Sequence, residues 1–338
     1  MTKALVLLSG GLDSMLAART LMEQGIEVTG LSFKSYFFGT AKGKKVAAQL
    51  GIKHIEVDFS AEHLVMVKKP KYGYGKNMNP CIDCHAMMLK KAGEIMRREG
   101  YDFIATGEVL GERPMSQNKE ALRIVEKDSG LSGRLIRPLS AKLLDQSEPE
   151  KAGLVNREKL FNISGRSRQR QLELVKKYGI KEYASPGGGC LLTDPAFSEK
   201  LLKILEFWPE CNGNDIELLK WGRVNWLKDE HDNNVLLMIG RDKQDNENLE
   251  KLAGSGDVII QLAEENGPTS LIRGIRNKEL GISELEIEAP EELKLGELRL
   301  GEKKGQEEII KLAARLTGYY AAKLRGKKVK LEVRLIIN

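Results

Sequence analysis

Two groups of residues in this chain of 338 residues could do chemistry, a glycine–serine loop and a set of cysteines. The loop reads Ser9-Gly10-Gly11-Leu12-Asp13-Ser14. Its glycines let the backbone approach a phosphate closely, and a helix starting there supplies unpaired N–H groups and a positive dipole end. Ser9 and Ser14 add hydroxyl donors, and Asp13 is a suitable ligand for Mg²⁺ on a polyphosphate. Because the loop lacks the P-loop lysine and the GxGxxG pattern, it predicts a different kind of nucleotide site.

The cysteines form a close pair and a distant third member. Cys81 and Cys84 have the CxxC spacing that lets two thiolates face one metal ion or redox centre. Cys190 follows a run of glycines, which gives its backbone the freedom to approach the pair. An iron–sulfur cluster on these three thiols is the best fit, and three ligands would leave one iron of a [4Fe–4S] centre open. Cys211 lies in a different context, and we interpret it as a structural thiol.

Other interpretations of the CxxC pair stay open. A c-type haem site matches the letters CxxCH, but it requires export, and the short apolar start of the chain has no signal-peptide pattern. A structural zinc ion could take Cys190 and His85 as its remaining ligands. A thioredoxin-like redox pair and an ordinary buried pair also have this spacing. In a mechanism without a cluster, Cys81 or Cys84 would carry a persulfide and Cys190 would be the resolving thiol.

Alternating strands and helices in the N-terminal third must position these groups. The predicted strands are Lys3–Leu8, Ile26–Phe33, Lys53–Phe59 and Asp102–Thr106, and the predicted helices are Leu12–Gln24, Ala41–Leu50 and Cys84–Arg98. Helices of this length between strands indicate an α/β fold with a doubly wound parallel sheet. Ligands of such sheets bind beyond the carboxyl ends of the strands, which is where the glycine–serine loop falls.

The composition is that of a globular protein, with 41% hydrophobic and 30% charged residues. Four cysteines are too few for a disulfide scaffold, and no apolar run approaches the roughly 18 residues of a membrane helix. We therefore predict a cytoplasmic protein without a membrane partner. The chain is expected to divide into a nucleotide domain (residues 1–150), a helical basic segment with the third cysteine (151–208) and a smaller α+β domain (209–338).

The glycine–serine loop resembles the PP-loop of the ATP pyrophosphatase superfamily, whose fold is adenine nucleotide α-hydrolase-like. Those enzymes cleave ATP between the α and β phosphates, adenylylate a substrate oxygen and release pyrophosphate. The resemblance implies that ATP and Mg²⁺ are cofactors and that the loop residues hold the pyrophosphate. It also places Ser32 and Phe33 near adenine. Ala105–Glu108 resembles the second nucleotide-side motif, which adds Thr106 and Gly107 to the site.

The cysteine pattern narrows the resemblance to the tRNA thiolases, specifically the tRNA 2-thiouridine and 4-thiouridine synthetase group. Asn79-Pro80-Cys81 followed by Cys84 resembles the cluster-dependent branches of that group. Further similarity extends over about residues 1–205, in Thr106–Gln117, Arg137–Leu144, Gly165–Arg168 and Gly187–Asp194. It implies an enzyme that replaces a base oxygen of tRNA with sulfur from sulfide or a persulfide carrier protein, with Asp13 and the three cysteines as catalytic residues. A homodimer is left open.

Basic residues indicate how RNA could be held. The segment Arg157–Lys181 has eight basic and two acidic residues, so its net charge of +6 equals the net charge of the whole chain. This concentration suits a polyanion and predicts RNA contacts by Arg166, Arg168 and Arg170, although a solvated helix face is the alternative. The C-terminal domain resembles the NFACT-R RNA-binding module in Leu219–Arg223 and Ile239–Glu247, and this implies RNA contacts by Arg241 and Lys243.

Two other function classes remain open from the sequence. A PP-loop enzyme that activates a small molecule would release AMP without RNA. A non-catalytic RNA-binding protein with ATP as a structural ligand would keep its RNA affinity after loss of Asp13 or Cys190.

Overall fold

The computed structural model describes residues 1–183, 189–275, 282–292 and 302–337. The chain divides into two compact units, Met1–Ser198 and Glu199–Asn338. Among the described residues, no helix has the length and apolar character needed to cross a membrane.

The first unit contains a five-stranded parallel sheet with the strand order β3-β2-β1-β4-β5. Its strands are β1 (Lys3–Leu7), β2 (Glu27–Lys34), β3 (Lys53–Asp58), β4 (Phe103–Ala105) and β5 (Leu135–Ile136). Its helices are α1 (Leu12–Met22), α2 (Ala41–Leu50), α3 (Ser60–Lys68), α4 (Cys81–Glu99), α5 (Lys119–Asp128), α6 (Glu148–Lys151) and α7 (Gln169–Lys177). The predicted α/β class is confirmed.

Helices cover both faces of this sheet, as the residues of its central strand require. In β1, Ala4 and Val6 pack into one hydrophobic cluster with Met15 of α1, while Leu5 packs into another with Leu89 of α4. Successive side chains of a strand point to opposite faces, so a continuous apolar strand must be buried on both. The loop after β1 is thereby fixed at the centre of the carboxyl edge.

Several elements differ from the sequence prediction. The helix predicted to begin at Cys84 begins at Cys81, because the Cys84 N–H donates to the Pro80 carbonyl and places both cysteines in the first turn. The sequence pattern also does not predict α3, α5 or β5. β5 has only two residues, too few to show a period, and it forms through pairing of Leu135 with Ile104 of β4.

The second unit is built around a seven-stranded mixed sheet with the order β10-β12-β8-β9-β7-β6-β11. The unit boundary falls within α8 (Pro195–Phe207). The elements that follow are α9 (Gly213–Leu218), β6 (Arg223–Asp229), β7 (Asn234–Ile239), α10 (Lys243–Leu252), β8 (Val258–Leu262), β9 (Ser270–Arg273), β10 (Glu284–Glu288), β11 (Lys303–Lys304), α11 (Gln306–Tyr320) and β12 (Lys328–Leu335). Ile309 and Ala313 of α11 pack into one hydrophobic cluster with residues of β8 and β12. The predicted α+β class of this part is confirmed.

Candidate active site

Hydrogen bonds from its own serine side chains stabilise the loop between β1 and α1. Gly10 has a φ of +80°, the left-handed conformation that glycine adopts without strain. The Ser14 hydroxyl donates to the Gly11 carbonyl at 2.8 Å, and the Ser9 hydroxyl accepts from the Gly11 N–H at 3.3 Å. Gly11 is the N-cap of α1 and offers no side-chain cap, so the first N–H groups of the helix are available to bind an anion.

Helix α2 and the residues just after β4 pack closely against this loop. A Cβ atom on Gly10 would lie 2.3 Å from the Cβ of Lys42 in α2. A Cβ atom on Gly107, just after β4, would lie 2.4 Å from the backbone nitrogen of Ser14. Both distances are shorter than real contacts allow, so these glycines are required for packing. The structure thus brings Gly107, a residue assigned to the nucleotide side by its motif, directly onto the glycine–serine loop.

We expect Gly10→Ala to destabilise the protein and to weaken ATP binding, because it adds a steric clash to an unfavourable backbone conformation. Gly25→Ala is a matched control, since Gly25 has a φ of +75° but no atom lies within 4 Å of the position that its new methyl group would take. Gly25→Ala should cost only the conformational term of about 1–2 kcal/mol in the free energy of unfolding, and Gly10→Ala clearly more. Chemical denaturation measures the free energy of unfolding of both variants. Equal losses of stability in the two variants would contradict the steric argument.

Ser32 and Phe33 lie beneath the loop at the end of β2. The Ser32 hydroxyl donates to the Leu8 carbonyl at 2.7 Å and shares a second hydrogen bond with His54 Nε2. The Phe33 ring packs against Phe59, with 5.2 Å between ring centroids. Both side chains are buried, so they support the loop and the core. Their place near adenine stays a prediction.

The three cysteines of the predicted cluster site lie close enough together that a charge on one shifts the pKa of another. All three are free thiols. Burial raises the pKa of Cys84 well above its ordinary value, and negative charge on Cys190 and Cys81 raises it further. Burial also raises the pKa of Cys190 to about 11. These thiols therefore stay protonated near neutral pH unless a cation compensates the charge of the thiolate.

One such cation is Arg113, in the loop after β4. Burial raises the pKa of Cys81, while the charge of Arg113 and hydrogen bonds with Asn79 and Ser116 oppose that effect. Arg113 also acts on Cys190 in the same direction. Over the described parts of the chain, no three His, Cys, Asp or Glu side chains are arranged to hold a metal ion. A metal or iron–sulfur centre on Cys81, Cys84 and Cys190 therefore stays a prediction.

Backbone contacts hold the residues around Cys190 against the carboxyl edge of the sheet. The Leu191 N–H donates to the Phe37 carbonyl at 3.0 Å, and the Asn77 side chain donates to the Thr193 carbonyl at 2.7 Å. A Cβ atom on Gly189 would lie 3.7 Å from Lys42 Nζ. Lys42 therefore lies near both the glycine–serine loop and the residue before Cys190.

A buried ionic network joins the nucleotide side to the cysteine helix. Glu108 accepts hydrogen bonds from Arg137 Nε at 2.9 Å, from Thr106 Oγ1 at 3.0 Å and from His85 Nδ1 at 2.9 Å. Burial alone would raise the pKa of Glu108, but the charge of Arg137 and the bond from His85 lower it to about 2. Since an ionised carboxylate only accepts hydrogen bonds, Nδ1 of His85 carries a proton. His85 directly follows Cys84, so the network fixes the position of the CxxC turn.

The predicted RNA-binding arginines of the basic segment fall into two environments. Arg166 is exposed, and Arg170 is exposed and pairs with Glu173 at 2.9 Å. Arg168 instead donates to Asp13 at 2.9 Å and is mostly buried. The structure therefore places Arg168 at the glycine–serine loop, where it meets a residue of the predicted phosphate site.

The two predicted RNA-binding residues of the second unit are on its surface at the start of α10. Arg241 pairs with Asp245, with 2.6 Å between Nε and Oδ2, and about half of its side chain is exposed. The Lys243 side chain is 91% exposed and lies 3.9 Å from Glu247.

Four residues of the site have no role assigned by the sequence pattern: Lys42, Glu112, Arg113 and Arg137. Glu112, Arg113 and Arg137 lie inside the segments that carry the thiolase resemblance, which is a usable signal. Lys42 lies in the exposed first turn of α2 and has no motif around it, so only the close packing of Gly10 shows its position.

Comparison with known proteins relates the N-terminal part of the chain to tRNA-modifying enzymes. Residues 1–146 match the family described as ThiI, thiamine biosynthesis protein. The chain is 37% identical over 122 residues to the tRNA-specific 2-thiouridylase MnmA of Treponema denticola, covering 31% of this chain and 32% of that protein. It is 24% identical over 218 residues to MnmA 1 of Fusobacterium nucleatum, covering 63% and 56%.

A solved structure, a 4-thiouridine synthetase–RNA complex with bound ATP, is similar with a TM-score of 0.34 and 22% identity, covering 53% of this chain and 52% of that one. The chain spans between about a third and just over half of the curated relatives cited above. The C-terminal resemblance to NFACT-R stays a prediction. The N-terminal part of the chain is thus similar in sequence to the ThiI family and to tRNA-specific 2-thiouridylases, in agreement with the resemblance of its glycine–serine loop and paired cysteines.

Proposed function

We propose that this chain is an ATP-dependent tRNA sulfurtransferase. The observation that carries the proposal is the position of Lys42, which contacts Gly10 of the glycine–serine loop and approaches Gly189, next to Cys190. A phosphate-binding loop and a set of thiols that share one edge of a sheet suit a reaction that first activates an oxygen with ATP and then replaces it with sulfur. The N-terminal relationship to the PP-loop tRNA thiolases supports the same reaction.

In the first step, the loop N–H groups and Lys42 bind the phosphates of MgATP, with Asp13 near the cation. A uridine or cytidine base of tRNA is splayed into the site, as chemistry on a base generally requires. Its carbonyl oxygen forms a bond to the α phosphorus, and the bond from that phosphorus to the bridging oxygen breaks. Pyrophosphate leaves with the electron pair, and the positive groups stabilise the charge that develops on it.

In the second step, sulfur attacks the activated base carbon and AMP leaves with the oxygen. With sulfide as donor, no change of oxidation state is needed. With a persulfide on Cys81 or Cys84, the thiolate of Cys190 then attacks the carrier sulfur, the S–S bond to the base-bound sulfur breaks, and an enzyme disulfide forms. A thiol reductant must reduce that disulfide before the next turnover.

A [4Fe–4S] cluster is the alternative sulfur carrier that we propose. Cys81, Cys84 and Cys190 would hold it, and when bound it supplies an open iron that binds sulfide. The donor chemistry suits such a group, because one buried and two partly buried thiols whose charges repel one another require a strong cationic partner to become thiolates. Arg113 would remain beside Cys81 and Cys190 and reduce the negative charge of the centre.

We assign the RNA contacts to the exposed residues Arg166 and Arg170 in the first unit and Arg241 and Lys243 in the second. Their positive charge would bind phosphate groups, which gives affinity without sequence specificity. A reducing compartment that contains tRNA suits the free thiols, so we place the reaction in the cytoplasm.

Nucleoside mass spectrometry of tRNA tests the function. The protein is purified without oxygen and incubated with MgATP, a sulfide source and unmodified tRNA. A new thionucleoside, formed with AMP and pyrophosphate, is the expected result. AMP and pyrophosphate formed at the same rate without RNA would instead support activation of a small molecule. RNA binding without ATP cleavage, unchanged in Asp13→Asn, would support the non-catalytic alternative.

A further inference from the structure

Arg168 contacts Asp13 of the glycine–serine loop, although the two residues are 155 positions apart in the sequence. Its NH2 group donates to Asp13 Oδ2 at 2.9 Å, and its Nε lies 3.8 Å from Glu112 Oε1. All three side chains are about one-fifth exposed. The guanidinium therefore lies between two carboxylates, Asp13 in the first turn of α1 and Glu112 in the loop after β4. This position is beside the predicted phosphate site, and it is poorly placed to meet RNA on the surface.

The ion pair leaves hydrogen-bonding capacity unused. Asp13 Oδ1 and Arg168 Nε are both buried and have no hydrogen-bond partner among the described residues. Burying polar atoms without partners is unfavourable, so both atoms are suited to a further ligand. The guanidinium group presents several N–H donors in a planar fork that matches the oxygens of a phosphate.

We propose that Arg168 is a ligand of the ATP polyphosphate and that nucleotide binding exchanges its partner. The guanidinium passes from the Asp13 carboxylate to phosphate oxygens, which carry more charge and accept two parallel hydrogen bonds. Asp13 is thereby released to ligate the divalent cation that accompanies ATP. The inference deepens the proposed function and rests on ATP as its nucleotide. It also removes Arg168 from the set of RNA contacts and leaves Arg166 and Arg170 as the RNA-binding arginines of the first unit.

Equilibrium binding of MgATP, measured by calorimetry on the full chain without RNA or sulfide, tests the proposal. We expect Arg168→Gln to raise the Kd for ATP roughly 10- to 100-fold, because a charge-assisted bidentate contact is lost. Arg168→Lys should lose less, since it keeps the charge. Arg98→Gln is the matched control and should leave the Kd for ATP within about twofold, because the Arg98 side chain is exposed and pairs with Glu99 at the end of α4.

A double-mutant cycle without divalent cations tests the exchange itself. With EDTA present, Asp13→Asn should bind ATP more tightly than the parent, since Arg168 no longer has a competing partner. That gain should disappear in Asp13→Asn/Arg168→Gln, because the two changes are coupled through one ion pair. A gain that persists in the double variant would mean general charge repulsion and would overturn the exchange.

An unchanged Kd for ATP in Arg168→Gln, combined with weaker RNA binding, would overturn the ligand assignment. Thermal unfolding of each variant separates a binding effect from a folding effect, and Arg168→Lys keeps the proposal testable where Arg168→Gln fails to fold. Because the readout is ATP binding alone, absence of tRNA thiolation would reject the proposed function without affecting this result.

Discussion

Cys190→Ser is expected to abolish thionucleoside formation while leaving the Kd for ATP within about twofold of the parent. The hydroxyl cannot carry or accept sulfur, whereas the glycine–serine loop keeps its own contacts with α2 and β4. Loss of a catalytic nucleophile typically lowers a rate by about 10³-fold or more. The measurements are thionucleoside yield by mass spectrometry and ATP affinity by calorimetry on the same preparation.

Cys211→Ser is the matched control for this prediction. Cys211 is buried and Cys190 is partly buried, but Cys211 lies in the second unit near the start of α9 and we interpret it as structural. Its replacement should lower stability and leave the thionucleoside yield per folded molecule unchanged. A yield retained in Cys190→Ser, or lost equally in both variants, would argue against Cys190 as part of the sulfur-transfer machinery.

Glu108→Ala is expected to lower the free energy of unfolding by about 3–5 kcal/mol. The side chains of Glu108 and Arg137 are only 7% and 4% exposed, so the change leaves a buried guanidinium with Glu126 as its remaining acidic partner among the described residues. It also releases His85, and we therefore expect weaker sulfur transfer in addition to lower stability. Urea denaturation measures the loss directly.

Glu148→Gln is the control for this buried pair, since Glu148 and Arg134 form an ion pair of which both side chains are more than half exposed. It should cost less than about 1 kcal/mol. Similar losses for Glu108→Ala and Glu148→Gln would contradict the network.

The pH dependence of stability gives an independent test of the same network. The folded-state pKa of Glu108 is about 2, below its ordinary value of 4.5. Its contribution to stability is therefore complete above pH 4.5 and is lost as the pH falls from 4.5 toward 2. Glu108→Gln should show a smaller loss of stability than the parent over this range.

The sequence predicted the elements whose signal is local. A buried strand followed by glycines and a helix predicted the glycine–serine loop, and the CxxC spacing predicted two thiols that could face one metal ion or redox centre. Helix and strand periods along the N-terminal third carried the α/β class. These periods could not predict β5, because it has two residues and forms by pairing with β4.

The sequence by itself determined which residues could bind phosphate and sulfur, because residue type and short spacing decide those capacities. The tertiary structure alone decided which of them meet. Arg168 pairs with Asp13 although the two are 155 residues apart in the sequence. Glu108 accepts hydrogen bonds from Arg137 and His85, which lie in separate parts of the fold. Such contacts depend on how parallel strands bring distant loops to one edge of a sheet, and no local period in the sequence encodes that.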